Sequence, residues 1–110
     1  MDTITLDELT GVMTMQQIID LTDDDDTGAV SQTVLDEAYA SAVRDLDFYA
    51  IDHYSLPLPA VPSVKEFHRQ LTKCHLYFRR GVYPEEIMTL YESLQEKMEM
   101  LTSTSLGITA

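Results

Sequence analysis

The stretch Ser31–Tyr54 carries an uninterrupted helical pattern, and this pattern constrains the fold more than any other feature of the chain. Its apolar residues recur at steps of three and four, which places them on one side of an α-helix. The residues expected to face inward are Leu35, Ala38, Ala42, Leu46, Tyr49 and His53, with Val34, Tyr39, Val43 and Ala50 at the margins. So broad a stripe suits a helix with neighbours on more than one side. The sequence therefore predicts one long central helix, about 31-54, capped by Thr33 and ended by the prolines after Leu56.

Two capping boxes predict two shorter helices before the central one. In Thr5-Leu-Asp-Glu8, and again in Thr14-Met-Gln-Gln17, the threonine caps a helix and the side chain three residues later reaches back to it. The second of these helices is expected to span Met15–Leu21.

A pair of helices is predicted after the central one. The first begins at Pro62 or Ser63 and ends near Arg80, where Gly81 is a typical C-terminal signal. Pro84 opens the last helix. Because the connection between these two helices is short, we expect them to pack antiparallel.

Length and composition bound the class of protein. The chain has 110 residues, of which 45% are hydrophobic, as is typical of one globular domain. We expect an all-α domain of four to five helices over 1-101, followed by a flexible tail over 102-110 that lacks a helical pattern. Leu106 and Ile108 are the candidate anchors of this tail on a partner. The single cysteine, Cys74, cannot form an internal disulfide, which fits a reducing cytosol. No long apolar run predicts a membrane span, and the acidic N-terminus does not resemble a secretory signal.

The negative charge is concentrated in the first half of the chain. The net charge is −12, with 13 acidic residues against one basic residue, Arg44, in residues 1–54, and six of each in residues 55–110. Such a surface argues against binding to nucleic-acid phosphates, which requires clustered Lys and Arg. Two interpretations of the acidic surface remain. It forms a wall past which DNA slides without binding, or it serves solubility alone.

The acidic turn before the central helix resembles the front of a calcium-binding loop. On that register Asp23, Asp25 and Thr27 would supply side-chain ligands and Gly28 the sharp turn. The twelfth position, which requires a bidentate glutamate, is Val34. The other interpretation is a solvated acidic turn that leads into the long helix. Calcium is the one cofactor that the sequence suggests.

Four basic residues form a stripe on the helix that begins near Pro62. Lys65, Arg69, Lys73 and Arg80 recur at steps of four, four and seven, and they lie opposite most of the apolar face. One interpretation is a solvated face with weak ion pairs. The other is a contact for an acidic surface, either within the chain or on a neighbouring copy.

The sequence contains no recognisable catalytic motif. There is no nucleophile elbow, phosphate loop, dinucleotide fingerprint or paired-cysteine zinc pattern. His68 and His75 are two turns apart, and Cys74 points about 100° away from His75, so the three are poor joint metal ligands. We therefore expect a protein that is not an enzyme.

The order and spacing of several motifs resemble those of one family. The motifs are a T-L-D-E-L helix start, an I-x-L-T-D-x-D-x-T-G-x-V turn, a long helix that closes on Y-x-L-P-L, a proline-led helix ending in C-H-L-Y-x-R-R, and Y-P-E-E before the last helix. From Thr3 to about Gly107 the chain resembles the small head proteins of Mu-like phages and prophages. The resemblance implies an all-helical virion morphogenesis protein, related in fold to head–tail adaptors that form rings under the portal. It carries over no catalytic residue.

Three functions are compatible with these patterns. The first is a head–tail adaptor, or head-completion, subunit that contacts the portal and a tail-side adaptor and self-associates into a ring, although it can be monomeric in isolation. Such a protein would act in the host bacterial cytoplasm during assembly and then in the virion. The alternative is a small acidic calcium-binding interaction module that uses the 23-31 turn. The third, a DNA-binding regulator, is disfavoured by the charge.

Overall fold

The computed structural model describes residues 4–107, which form five α-helices and no β-strand. In chain order the helices are α1 (Leu6–Leu9), α2 (Met15–Thr22), α3 (Gln32–Ala50), α4 (Pro62–Arg79) and α5 (Glu85–Glu99). The predicted all-α fold is confirmed, with two short helices, a long central helix and a helical pair in that order. Within the described range, no helix is both long and apolar enough to span a membrane.

The capping boxes of the two short helices form as the sequence predicts. The hydroxyl of Thr5 accepts a hydrogen bond from the N–H of Glu8 at 3.2 Å, and that of Thr14 accepts one from the N–H of Gln17 at 3.1 Å. In both cases the side chain at the third helical position reaches back to the backbone of the capping residue. Helix α2 ends one residue later than predicted, at Thr22.

The central helix is shorter than its sequence pattern predicts. It begins after Ser31, whose hydroxyl accepts a backbone hydrogen bond at 3.4 Å, so the cap is Ser31 and not Thr33. It ends at Ala50, and the next four residues form a turn that leaves His53 exposed rather than inward. The turn keeps helix-like hydrogen bonds back to the carbonyl of Ala50, which explains why the periodicity alone could not mark the helix end.

Helix α3 packs most extensively against α4, and the pair organises two hydrophobic clusters. The first cluster lies between the second half of α3, the helices α4 and α5, and the segments around them; its buried members are Ala42, Leu46, Ala50, Tyr54, Val64, Leu71, Cys74, Ile87, Leu94, Met98, Leu101 and Leu106. The second lies under α1 and α2, with Ile4, Leu9, Met13, Ile18, Leu21, Leu35, Ala38 and Leu76. Three of the buried residues of α3 are alanines, and small side chains allow two helix axes to approach closely.

Helix α4 is buried on two sides because the short helices cover the side that faces away from α5. The sequence predicts an apolar face of this helix formed by Val64, Phe67, Leu71, His75 and Phe78. Leu76 lies outside that face, yet it is fully buried in the second cluster. Burial of a leucine side chain stabilises a fold by about 1.5–3 kcal/mol. The short helices thus add a second layer of core that the periodicity of α4 does not indicate.

Residues 102–107 pack against the first cluster, in contrast to the flexible tail predicted for 102-110. Leu106 is only 3% exposed and belongs to that cluster. Leu106 therefore anchors this segment to its own chain, and not to a partner as the sequence suggested. Ile108, the other anchor expected from the sequence, lies outside the described residues.

Tyr54 joins the turn after α3 to this C-terminal segment. Its hydroxyl donates a hydrogen bond to the carbonyl of Thr102 at 2.7 Å and accepts one from the N–H of Leu106 at 3.1 Å. The hydroxyl of Ser63, in the first turn of α4, donates to the carbonyl of Leu106 at 2.5 Å. The start of α4 therefore lies beside the segment that follows α5, so that α4 and α5 run antiparallel.

We predict that Tyr54→Phe destabilises the fold by about 1–3 kcal/mol, because the buried N–H of Leu106 and the partly buried carbonyl of Thr102 lose their partner. Urea unfolding followed by circular dichroism measures this change. The matched control is Tyr83→Phe, whose exposed hydroxyl has no hydrogen bond within residues 4–107, and we expect its effect to stay within about 0.5 kcal/mol. Equal unfolding midpoints for the two variants would contradict the packing of the C-terminal segment.

Candidate interaction surfaces

The acidic turn between α2 and α3 is held together by one carboxylate. Asp23 accepts hydrogen bonds from the N–H of Thr27 at 2.7 Å, from the hydroxyl of Thr27 at 3.0 Å and from the N–H of Gly28 at 2.6 Å. The backbone hydrogen bonds from Thr27 and Gly28 lower the pKa of Asp23 below its ordinary value. Gly28 has a φ of +78°, a conformation that glycine adopts without strain.

Two of the three calcium candidates, Asp23 and Thr27, are engaged in the hydrogen bonds that hold the turn. Thr27 and Asp23 are hydrogen-bonded to each other, and Asp25 is exposed. Val34, at the position where a calcium loop needs glutamate, packs against the second cluster. Among residues 4–107, no three or more His, Cys, Asp or Glu side chains are grouped so that they could hold a metal ion. Calcium binding by this turn stays a prediction from the sequence.

Asp24 fastens the same turn to the end of α4. Its carboxylate lies 2.6 Å from Nη2 of Arg79 and 2.8 Å from Nη1 of Arg80. The two guanidinium groups also donate to the carbonyls of Leu21, at 2.9 Å, and Asp20, at 3.1 Å. The hydrogen bond from Arg79 lowers the pKa of Asp24. No local pattern in the sequence indicates this contact, because Asp24 and Arg79 are far apart in the chain.

The four residues of the predicted basic stripe lie in different environments. Lys73 donates to the carbonyl of Val12 at 3.1 Å, and Arg80 binds Asp24, so both serve contacts within the chain. Arg69 pairs with Glu66, one turn away, at 3.0 Å. Lys65 is exposed and has no carboxylate within 4 Å in the described part of the chain.

A polar centre joins the three long helices. Asp45 of α3 lies 2.6 Å from Nε2 of His75 on α4 and accepts a hydrogen bond from the hydroxyl of Tyr91 on α5 at 3.1 Å. Burial, the charge of Asp45 and the hydrogen bond to it raise the pKa of Tyr91 to about 12. In the sequence His75 stands near His68 and Cys74, and no local signal indicates Asp45, 30 residues away, as its partner.

The structure places His68 away from this polar centre, whereas Cys74 lies close enough to Asp45 to interact with its charge. The ring of His68 packs edge-on against Tyr39 at 5.5 Å, and burial lowers the pKa of His68. Its Nε2 is buried without a hydrogen-bond partner, beside an open groove of about 520 Å³ between α1, α3 and α4. Burial raises the pKa of the Cys74 thiol to about 11, so the thiol is protonated at neutral pH.

One apolar surface is exposed where α3 ends. Phe48 is 74% exposed, Ile51 62% and Leu56 38%, and the three line a second groove together with residues of α5. Met100, which is 77% exposed, directly follows the groove residues of α5. We call these four residues the α3-end surface. Phe48 and Ile51 lie outside the inward stripe of the central helix. This feature of the sequence could have indicated an exposed apolar site.

A second apolar surface is exposed where α4 turns into α5. Tyr83 is 61% exposed, and its ring stacks on Phe78 at 5.5 Å. Val82 and Met88 are also exposed. We call Val82, Tyr83 and Met88 the Tyr83 corner. Exposed apolar residues grouped in this way are typical of sites for contact with other proteins.

The fold and these surfaces define a small acidic helical protein with apolar side chains exposed at two separate places. The chain belongs to the family described as Bacteriophage Mu, Gp36, whose profile matches residues 4–109. This match confirms the resemblance to Mu-like phage proteins that the sequence motifs indicate. No curated protein and no solved structure matches the chain.

We predict that Asp24→Asn weakens the fold at neutral pH and has no effect in acid. The folded pKa of Asp24 lies below its ordinary value of 3.8, so its contribution is present above that pH and is lost as the pH falls through the lowered value. Urea unfolding at pH 7 and at successively lower pH measures the difference from wild type. Asp25→Asn, with no ion pair among residues 4–107, is the control and should match wild type throughout. If the stability difference between Asp24→Asn and wild type stayed constant from pH 7 into acid, the role assigned to the Asp24 carboxylate would be contradicted.

We predict that Asp45→Ala costs about 1.5–3 kcal/mol of stability, because two partly buried partners, His75 and Tyr91, lose a charged acceptor. Tyr91→Phe removes only one of the hydrogen bonds and should cost about 0.5–1.5 kcal/mol. Glu37→Ala, at an exposed position on the same helix, is the control. Thermal or urea unfolding gives the three values. An Asp45→Ala effect no larger than that of Glu37→Ala would show that the polar centre does not join the helices.

Proposed function

We propose that this chain is a head–tail adaptor, or head-completion, subunit of a Mu-like phage or prophage particle, and that it acts through protein–protein contacts without catalysis. The observation that carries the proposal is the α3-end surface. A chain with a net charge of −12 exposes Phe48, Ile51 and Met100 by more than half. Large apolar side chains grouped on so polar a protein are costly in water and are best explained by a partner.

The partners that fit this role are the portal, a tail-side adaptor and further copies of the chain arranged as a ring around the DNA path. An acidic wall suits that place, because it repels the phosphate backbone and lets DNA pass without binding. The subunit would act in the host bacterial cytoplasm during assembly and then remain in the virion.

The internal contacts of the basic stripe change which residues can meet a partner. Lys73 and Arg80 already bind the chain's own backbone and Asp24. Of the four stripe residues, Lys65 is the one with an exposed charge that can pair with an acidic neighbour. Among these candidates, we therefore assign an intermolecular contact to Lys65. We assign to Lys73 and Arg80 a role in the stability of the fold.

Deletion of the gene from an inducible prophage tests the proposed function. We expect filled heads and free tails to accumulate without joining, and a plasmid copy of the wild-type gene to restore infectious particles. Electron microscopy of the lysate and the plaque titre measure the two outcomes. Normal titres after deletion would contradict the adaptor role, and so would a block before DNA packaging, which would move the protein to an earlier step.

The α3-end surface is tested by complementing this deletion with Phe48→Glu. We expect this variant to fold, since Phe48 is mostly exposed, and to fail to restore infectivity. Glu92→Gln, at an exposed position in the middle of α5, is the matched control and should complement fully. Full complementation by Phe48→Glu would contradict the assignment of this surface.

A further inference from the structure

We infer that copies of this chain associate head to tail, with the Tyr83 corner of one copy seated on the α3-end surface of the next. The inference rests on the proposed adaptor function and specifies its self-contact. It requires two different surfaces on each subunit, far enough apart for one subunit to touch two neighbours. The positions of the two apolar surfaces meet that requirement.

The two surfaces lie at opposite ends of α5. The Tyr83 corner precedes α5 and includes its first turn, whereas Met100 and the α5 residues of the groove lie at its other end. At ~1.5 Å per residue, the helix separates them by about 22 Å. The molecule extends 44 Å along its longest axis, so one subunit can present the two surfaces to different neighbours.

The charges at the two ends differ in a way that favours contact between unlike ends. The end that carries the Tyr83 corner also holds the acidic turn, where Asp25 and Asp26 are exposed, and the first turn of α5, with Glu85 and Glu86. Only Arg79 and Arg80 offset these charges, and both already bind Asp24. Two such ends would repel each other.

The other end holds the basic residues that remain free of ion pairs. Arg44 lines both grooves, Lys65 lies in the first turn of α4, and Lys97 lies in the last turn of α5. None of the three has a carboxylate within 4 Å in the part of the chain that the structure describes. Asp47, Asp52 and Glu99 also line the groove beside Phe48, so this end is mixed in charge, and it accepts an acidic partner better than the Tyr83 end would.

The size of the apolar surfaces indicates a weak contact. Their seven side chains expose on the order of 700 Å² in total, taking ~150–250 Å² for a large side chain that is fully exposed. Stable interfaces bury roughly 1,200–2,000 Å² in total. The isolated chain should therefore be monomeric when dilute and associate when it is concentrated or held on a template. A head-to-tail contact closes into a ring or continues as a filament according to its rotation.

Cysteine crosslinking tests this arrangement with the intact chain. Ser55→Cys places a thiol beside the α3-end surface, and Thr89→Cys places one beside the Tyr83 corner; both positions are exposed, and both substitutions leave the seven apolar side chains in place. The native Cys74 is fully buried and should not react. Each variant, their mixture and the double variant are treated at millimolar concentration with a short bismaleimide and separated on a denaturing gel.

We expect the double variant to give a ladder of dimers, trimers and larger species, the mixture of single variants to give dimers only, and each single variant alone to give none. A double variant of Ser55→Cys with Gln16→Cys, on α2 outside both surfaces, should form no ladder. Adding Phe48→Glu to the reactive pair should lower the crosslinked fraction about tenfold, since an aromatic anchor dominates a small interface. Circular dichroism confirms that each variant is folded.

Dimers formed by either single variant alone would overturn the inference in favour of a symmetric contact between like ends. Failure to form any ladder at millimolar concentration would overturn it as well. Neither result would affect the deletion experiment, which depends on joining heads to tails and not on how the subunits touch. A chain that is required for joining but gives no ladder would be an adaptor that binds only other proteins.

Discussion

The contact between α3 and α4 is the interaction on which the rest of the structure depends. Both hydrophobic clusters include residues of these two helices, and the short helices and α5 each complete one of them. The small alanines of α3 allow this close packing, so larger residues at those positions would separate the pair. A chain with only 110 residues gains two layers of core from one helix pair in this way.

Most basic residues of the chain bind groups of the same chain. Arg79 and Arg80 hold the acidic turn, Lys73 holds the link between α1 and α2, and Arg69 pairs within its own helix. These contacts stabilise a fold that a charge of −12 otherwise opposes through repulsion. They also leave the surface strongly acidic, so we assign the proposed contacts with other proteins to exposed apolar side chains rather than to basic ones.

The interior and the exposed surfaces serve different purposes. Asp45, His75 and Tyr91 form a polar centre that is satisfied within the chain, and the thiol of Cys74 lies in the core. The groove at the end of α3 lies instead beside exposed apolar residues such as Phe48. This division suits a subunit that presents a rigid shape to its neighbours, which is the role proposed for this member of a phage protein family.

The sequence by itself determined the local elements, because a cap or a helical stripe involves residues only a few positions apart. The capping boxes at Thr5 and Thr14, the long central helix and the resemblance to Mu-like phage proteins were all evident from it. Only the tertiary structure decided which distant groups meet. Several contacts depend on elements more than 25 residues away, and no local pattern encodes such distances. They are the burial of Leu76 and Leu106, the binding of Asp24 by two arginines and the pairing of His75 with Asp45. The four-residue difference at the end of α3 has the same cause, since Tyr54 turns inward toward a segment far along the chain.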